Sequence, residues 1–262
     1  MMRILLTAFC VALWCAAPAL AVPFFDDFET GVNGSVWTKW TGDFQELLQT
    51  DSSHNITLGG SQAARAHAAD PTAYTGFADF GATGDFVRAN VYVFEDFNNN
   101  GTNPNEPVTN MLALFGDGAH PNGFSDYLQL GVVPFFPGGS QTYGFRTRYN
   151  DANALGIIDT GVSRKAGWTK LSIEADPIAA GGAVRFYIDD LLEGSSFRAG
   201  ANGGAGGLSP VDLRWVRLGN NSKSYENFWY DDVSVVPEPS SLLLLGLGIA
   251  AVNFSRRRHP AA

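Results

Sequence analysis

The sequence is poor in cysteine and in charged residues, and both shortages limit what the protein can be. Its 262 residues include two cysteines, Cys10 and Cys15, and 16% charged residues. Both cysteines precede residue 22, so residues 22–235 form no disulfide and use no thiol in catalysis. Residues 22–235 carry 13 basic and 25 acidic side chains. This excess of negative charge repels phosphate and anionic lipid headgroups, which disfavours nucleic acid and peripheral membrane surfaces as partners.

Common catalytic signatures are also missing from the sequence. It contains no Gly-x-Ser-x-Gly elbow, no phosphate-binding Gly-x-x-x-x-Gly-Lys loop and no His-Glu-x-x-His pair. The histidines are His54, His67, His120 and His259, and they lack the spacing of metal ligands. We therefore expect a protein that is not an enzyme.

The N-terminus has the layout of a secretory signal peptide. Arg3 is followed by an apolar run at 4–17 and by the small-x-small sequence Ala19-Leu20-Ala21. We predict that residues 1–21 form a signal helix that signal peptidase removes before Val22. The run is short for a membrane span.

The C-terminus contains three consecutive features: a proline-flanked glutamate, an apolar segment and a cluster of arginines. Pro237, Glu238 and Pro239 precede the apolar residues 242–252, and Arg256, Arg257 and Arg258 follow. The two prolines favour an extended backbone, so we expect an exposed motif. The apolar segment is suited to a transmembrane helix, with the arginines on the cytoplasmic side.

This arrangement closely resembles the PEP-CTERM sorting signal of Gram-negative bacteria that make exopolysaccharide. The resemblance covers residues 236–262 and implies processing by an exosortase, an integral-membrane enzyme similar to cysteine transpeptidases. It further implies cleavage near residues 237–239, a transient inner-membrane anchor and delivery to the cell surface or extracellular matrix.

Residues 22–235 show the period-two alternation of β-strands, separated by turns rich in glycine, asparagine and aspartate. Around ten strands in one domain predict an all-β protein with two packed antiparallel sheets. Phe44, Leu47 and Leu48 allow either one helical turn or a strand. The predicted strands are 24–29, 86–95, 110–115, 127–133, 142–149, 156–162, 170–175, 184–189, 213–218 and 228–235.

Part of this domain resembles the concanavalin A-like and laminin-G-like sandwiches. The resemblance rests on Trp168 at the start of a strand, on the turn Gly181-Gly182 and on the partner strand ending in Phe186-Tyr187-Ile188-Asp189. Residues 25–29 and 228–233 also resemble the first and last strands of that family, which pair with each other. The resemblance implies a jelly-roll sandwich.

That family includes glucanases, whose laminarinase-type motif is Glu-x-Asp-x-x-Glu. Here Glu174 and Asp176 are present, but Ala179 replaces the second glutamate and Pro177 ends the strand. We therefore interpret Glu174 as a solvated residue of an exposed face. A glycan-active hydrolase or lyase remains the alternative.

One segment resembles the first half of a calcium loop. Asp96, Asn98 and Asn100 alternate before Gly101, and Glu106 follows at a distance that does not match an EF-hand. The pattern suggests a weak calcium site, and an ordinary asparagine-rich turn is the alternative.

Aromatic residues make up 13% of the chain, which invites a sugar-stacking hypothesis. We predict ligand contacts for aromatic residues near predicted loops, and packing roles for Trp168, Trp215 and Trp229 on strands. The predicted contact residues are Trp37, Trp40, Phe135, Phe136 and Tyr143.

Together these features predict an exported, non-catalytic β-sandwich that binds extracellular polysaccharide or associates with the exopolysaccharide matrix. A purely structural matrix protein without a small ligand is a further alternative.

Overall fold

The computed structural model describes residues 23–39, 45–66, 73–84, 86–96, 110–116, 127–132, 142–147, 158–198, 212–219 and 228–238. These residues contain a 3-10 turn, Ile178–Ala180, and sixteen strands. No helix in these ranges is long and apolar enough to cross a membrane. The predicted signal helix at 1–21 and the apolar segment at 242–252 lie outside the described residues. The strands are β1 (Phe24–Asp26), β2 (Trp37–Thr38), β3 (Gln45–Leu47), β4 (Gln49–Asp51), β5 (Ala63–Ala66), β6 (Ala73–Thr83), β7 (Phe86–Glu95), β8 (Asn110–Gly116), β9 (Tyr127–Val132), β10 (Thr142–Thr147), β11 (Ile158–Ser163), β12 (Gly167–Ala175), β13 (Ala183–Ile188), β14 (Leu191–Phe197), β15 (Leu213–Gly219) and β16 (Phe228–Glu238).

The strands form two sheets, which confirms the predicted all-β sandwich. Sheet A has the order β14-β13-β12-β7-β16-β5-β4, and β1 also pairs with β16. Sheet B has the order β11-β10-β9-β8-β15-β6-β2, and β3 also pairs with β6. The β3–β6 pairing is parallel and the other described pairings are antiparallel. The first and last strands are neighbours, with Phe24 opposite Val235, as the resemblance implied.

The core lies between the two sheets and follows from the alternation in the sequence. In β7 every second residue, from Val87 to Val93, has no exposed surface, whereas the residues between them are half-buried. In β13 the same alternation buries Val184, Phe186 and Ile188, and Leu171 of β12, which has no exposed surface, lies opposite Ile188. Burial of each large apolar side chain contributes about 1.5–3 kcal/mol. The alternation therefore fixes which face of each strand points inwards.

The three tryptophans predicted to pack on strands do lie on β12, β15 and β16. Trp229 is 3% exposed, and its ring lies 5.7 Å from Phe94 and 4.3 Å from His54. Trp168 meets the other side of Phe94 at 5.4 Å. These rings lie on the outer face of sheet A.

The last strand continues beyond the predicted domain boundary after residue 235. β16 runs through Val236 and Pro237 to Glu238, opposite Arg88, Val87 and Phe86 of β7. Pro237 is buried. The first residues of the proline-flanked motif are therefore part of sheet A, not an exposed linker.

Candidate functional site

Two of the aromatic residues predicted to contact a ligand lie in the core. Trp37 has no exposed surface, and its Nε1 donates to Asp26 Oδ2 at 2.6 Å. Tyr143 is 1% exposed, and its hydroxyl donates to Glu95 Oε1 at 2.6 Å. Because both rings pack between the sheets, the predicted ligand contacts at these two positions are wrong.

Most of the other predicted site residues fall outside the described part of the chain. These residues are Trp40, Asn98, Asn100, Glu106, Phe135, Phe136, Pro239, Arg256, Arg257 and Arg258. Asp96 is described, is half-buried and directly follows β7. Among the described residues no three histidine, cysteine, aspartate or glutamate side chains form a group that could hold a metal ion. Calcium binding remains a prediction.

An open cleft of about 580 Å³ lies beside β1, the segment that leads into β2, and β6. A cavity of this size is typical of small-molecule sites. We call it the β1 cleft. Its apolar wall is formed by Phe25, which is 61% exposed, and Val36. The residues that give it polar character are Asp26, Asp27, Thr30, Asn33, Ser35 and Asp79.

Strand alternation places Phe25 at the surface of this cleft. Its neighbour Phe24 points inwards, with its ring 5.7 Å from that of Trp37 in an edge-to-face contact. Successive side chains of a strand point to opposite faces, so Phe25 points outwards. Asp26 accepts the Phe28 N–H at 2.8 Å just after β1, and its bond from the Trp37 indole N–H fastens β1 to β2. The exposed ring therefore stands on a fixed backbone.

Asn33 holds the turn that carries Val36 into the cleft. Its backbone carbonyl accepts the N–H groups of Val36 and Trp37 at 2.9 and 2.8 Å. Its side-chain Oδ1 accepts the backbone N–H and the hydroxyl of Ser35 at 2.9 and 2.7 Å. This use of the oxygen leaves the amide Nδ2 as the donor that Asn33 offers to a ligand.

The cleft carries a negative charge. Asp26, Asp27 and Asp79 line it, and the one arginine bound to these carboxylates in the described structure is Arg214. Arg214 donates from Nε and Nη2 to Asp79 Oδ2 at 2.9 and 2.7 Å. Burial alone would raise the pKa of Asp79, but the hydrogen bonds from Arg214 and Gly81 and the guanidinium charge hold it below its ordinary value. A ring beside carboxylates and an amide suits a hydroxyl-rich neutral ligand, whereas an anion would be repelled.

Sheet B presents a second group of polar and aromatic side chains on its outer face. Arg217 of β15 lies between Phe77 of β6 and Ala113 of β8. The same row continues through Gln129 of β9 to Arg146 of β10. The Arg217 guanidinium lies 5.7 Å from the Phe77 ring and 5.0 Å from the Phe115 ring. Arg217 and Gln129 are 1% and 2% exposed, so the centre of this row is closed to solvent.

The carboxylates of sheet B do not form a pair of the kind that glycosidases use. In its described strands they are Glu46, Asp79 and Asp159. Asp79 on β6 and Asp159 on β11 are five strands apart, which is about 24 Å. Glu46 of β3 lies opposite Tyr74 of β6. Tyr74 is five residues from Asp79 along β6, which places Glu46 about 16 Å from Asp79. A glycosidase pair lies about 5–10 Å apart.

Glu174 differs from its predicted role as a solvated residue. Its side chain is 13% exposed, accepts the Tyr187 hydroxyl at 2.7 Å and lies 3.3 Å from an Arg88 nitrogen. Arg185 approaches it at 3.8 Å and binds both oxygens of Asp176. The solvated interpretation is wrong because cross-strand partners enclose the carboxylate in an ion-pair network on sheet A.

Comparison with solved structures identifies the class of fold. The cellulose induced protein Cip1 superposes with a TM-score of 0.51 at 16% identity, over 82% of this chain and 97% of Cip1. Alginate lyase Aly36B gives a TM-score of 0.54 at 9% identity, over 84% and 100%. An endo-1,3-beta-glucanase from Streptomyces sioyaensis gives 0.50 at 14% identity, over 85% and 99%. At these identities the similarity establishes the fold alone.

The sequence comparison concerns the C-terminus. Residues 235–258 match the model of the PEP-CTERM protein-sorting motif. The protein therefore carries a PEP-CTERM signal, which implies export and exosortase processing, on a two-sheet antiparallel β-sandwich. A search of curated proteins finds no match.

Proposed function

We propose that this is an exported, non-catalytic carbohydrate-binding protein that holds neutral sugar units of extracellular polysaccharide in the β1 cleft. One observation carries the proposal: the exposed ring of Phe25 lies in an open cleft lined by Asp27, Thr30 and Asn33. A flat ring packs against the apolar face of a pyranose, while carboxylate, hydroxyl and amide groups bond to its hydroxyls.

The charge of the cleft supports the choice of ligand. Three carboxylates line it and Arg214 binds one of them, so the site favours hydroxyl donors and repels uronate and sulfate groups. The sorting signal supports the setting, because it implies delivery towards the surface of the cell.

Affinity gel electrophoresis tests this proposal. The exported protein is run through gels that contain neutral or acidic polysaccharides, beside Phe25→Ala. Removal of a ring that packs on a sugar costs about 1.4 kcal/mol or more, which is tenfold in affinity. Phe197→Ala is the matched control, since Phe197 is also exposed, at 42%, but lies on β14 away from the cleft.

We expect at least one neutral polysaccharide to slow the migration of the unsubstituted protein and of the Phe197 variant, but not that of the Phe25 variant. Equal loss in both variants, or retardation by acidic polysaccharides alone, contradicts the proposal.

A hydrolase or lyase is the alternative function. Arg146, which is half-buried on the outer face of sheet B beside Gln129, favours it, because guanidinium groups bind the carboxylates of acidic sugars. Release of new reducing ends or unsaturated sugars by the purified protein would establish this alternative. A purely structural matrix protein would show neither binding nor turnover.

A further inference from the structure

The sorting motif begins inside the folded domain. The match starts at Val235, which has no exposed surface and pairs with Phe24 of β1 and Ala89 of β7. Val236, Pro237 and Glu238 then continue the β7 pairing. The first four residues of the matched signal therefore belong to a strand of sheet A.

Pairing protects these residues from a processing enzyme. A peptide bond must leave its sheet before an active site can surround it, and local opening of a paired, buried strand is rare. Pro237 is buried and directly opposite Val87, whose side chain is in the core. Cleavage before Glu238 thus requires the end of β16 to separate from β7.

The sequence leaves only a short stretch between Glu238 and the apolar segment. Pro239 has no N–H to donate, so the ladder cannot continue normally through it. Between Glu238 and the apolar segment that starts at Leu242 lie only Pro239, Ser240 and Ser241. Four residue steps span at most about 14 Å.

We infer that the processing enzyme cuts C-terminal to Glu238, within residues 238–242, and that pairing with β7 excludes cleavage nearer the domain. This inference rests on the sorting part of the proposed function and specifies its site. The amide bond breaks, its nitrogen takes a proton and leaves with the apolar segment, and the acyl carbon passes to water or to an acceptor hydroxyl or amine. The mature protein then keeps Pro237 and Glu238 as the end of β16.

The test is to identify the C-terminus of the full chain after export from a Gram-negative host with an active exosortase. Trypsin cuts after Lys223 and next after Arg256, so mass spectrometry of the peptide that begins at Ser224 reports the cut directly. We expect this peptide to end at residue 238, 239, 240 or 241. An end at Pro237 or earlier overturns the inference.

Hydrogen exchange on the same exported protein provides the second measurement. We expect the ladder-bonded amides in residues 234–238 to exchange at least 100-fold more slowly than those of an unpaired chain. Exchange at the unpaired rate overturns the inference even if the cut falls after Glu238. A chain that remains intact to Ala262 refutes processing itself, and with it the inference, whereas glycan binding by the β1 cleft is measured independently.

Discussion

The buried ion pair between Glu95 and Arg164 allows a sharp prediction about stability. Glu95 has no exposed surface, and the Arg164 side chain is 5% exposed. Arg164 donates to Glu95 Oε2 from Nε at 2.7 Å and from Nη2 at 2.6 Å, while Tyr143 donates to Oε1. Burial, and next the charge of Glu95, raise the pKa of Tyr143, which keeps its hydroxyl protonated as a donor. The pair joins β7 of sheet A to the segment that follows β11 of sheet B.

Arg164→Met removes the cation and leaves the buried carboxylate with a neutral donor. Loss of one partner of a buried ion pair costs about 3–5 kcal/mol, because the remaining charge stays desolvated. Glu95→Gln should cost a similar amount. The double variant leaves no charge at this site, so its loss of stability should be smaller than the sum of the two single losses by about 2 kcal/mol or more.

Urea unfolding followed by tryptophan fluorescence measures these free energies. Lys165→Met is the matched control, since Lys165 is adjacent in sequence but forms an exposed ion pair with Asp189. We expect the control to change stability by less than about 0.5 kcal/mol. An Arg164 variant as stable as the control, or strictly additive losses in the double variant, would refute the reasoning.

Two further predictions concern backbone and charge. Gly219 and Gly161 have nearly the same φ, +75° and +74°. A Cβ at position 219 would lie 2.2 Å from the Tyr74 carbonyl oxygen of β6, whereas a Cβ at position 161 would have no atom within 4 Å. Gly161→Ala should cost about 1–2 kcal/mol and Gly219→Ala at least 1 kcal/mol more in urea unfolding, and equal losses would contradict the clash. Burial alone would raise the pKa of Asp51, but hydrogen bonds, first those from Ser53, lower it to about 2. Because its pKa is lowered on folding, the Asp51 carboxylate stabilises the fold at pH values above its unfolded-state pKa of about 4, and this stabilisation is lost as the pH falls from about 4 to 2. Asp51→Asn should therefore lower the free energy of unfolding by about 2 kcal/mol at pH 7 and remove that part of the acid sensitivity. An unchanged acid profile would refute this assignment.

The sequence predicted the strands that follow simple alternation. β7 has the predicted bounds, Phe86–Glu95, and the β12–β13 hairpin lies where the tryptophan and the diglycine turn placed it. These strands are central and bury one face completely, so the period-two pattern dominates their composition.

The strands that were missed have compositions set by neighbouring side chains. β6 contains Gly76, where a Cβ would lie 2.9 Å from both the Trp37 ring and Leu48. β14 contains Gly194, where a Cβ would lie 2.1 Å from Phe145. Each glycine makes room for a core side chain from another strand, and no local pattern reveals that need.

The candidate site was predicted poorly for a related reason. Trp37 resembles an exposed loop aromatic in the sequence, but Asp26, eleven residues earlier, accepts its indole N–H and so permits burial. Phe25 lies in a run where two adjacent phenylalanines precede two aspartates, so the sequence does not tell which ring faces out, and only the fold shows that Phe25 does. The run Phe24–Asp27 therefore signalled a strand without identifying its exposed ring.

The most direct test of the central claim is isothermal titration of the exported protein with a neutral oligosaccharide, followed by mass analysis of the recovered sugar. The sugar is chosen from the polysaccharide that gives the strongest retardation in gels. We predict saturable heat that Phe25→Ala reduces at least tenfold in affinity, and recovery of the sugar at its original mass. No heat with any neutral glycan, or sugar recovered as shorter or unsaturated fragments, would contradict a binding protein that leaves its ligand unchanged.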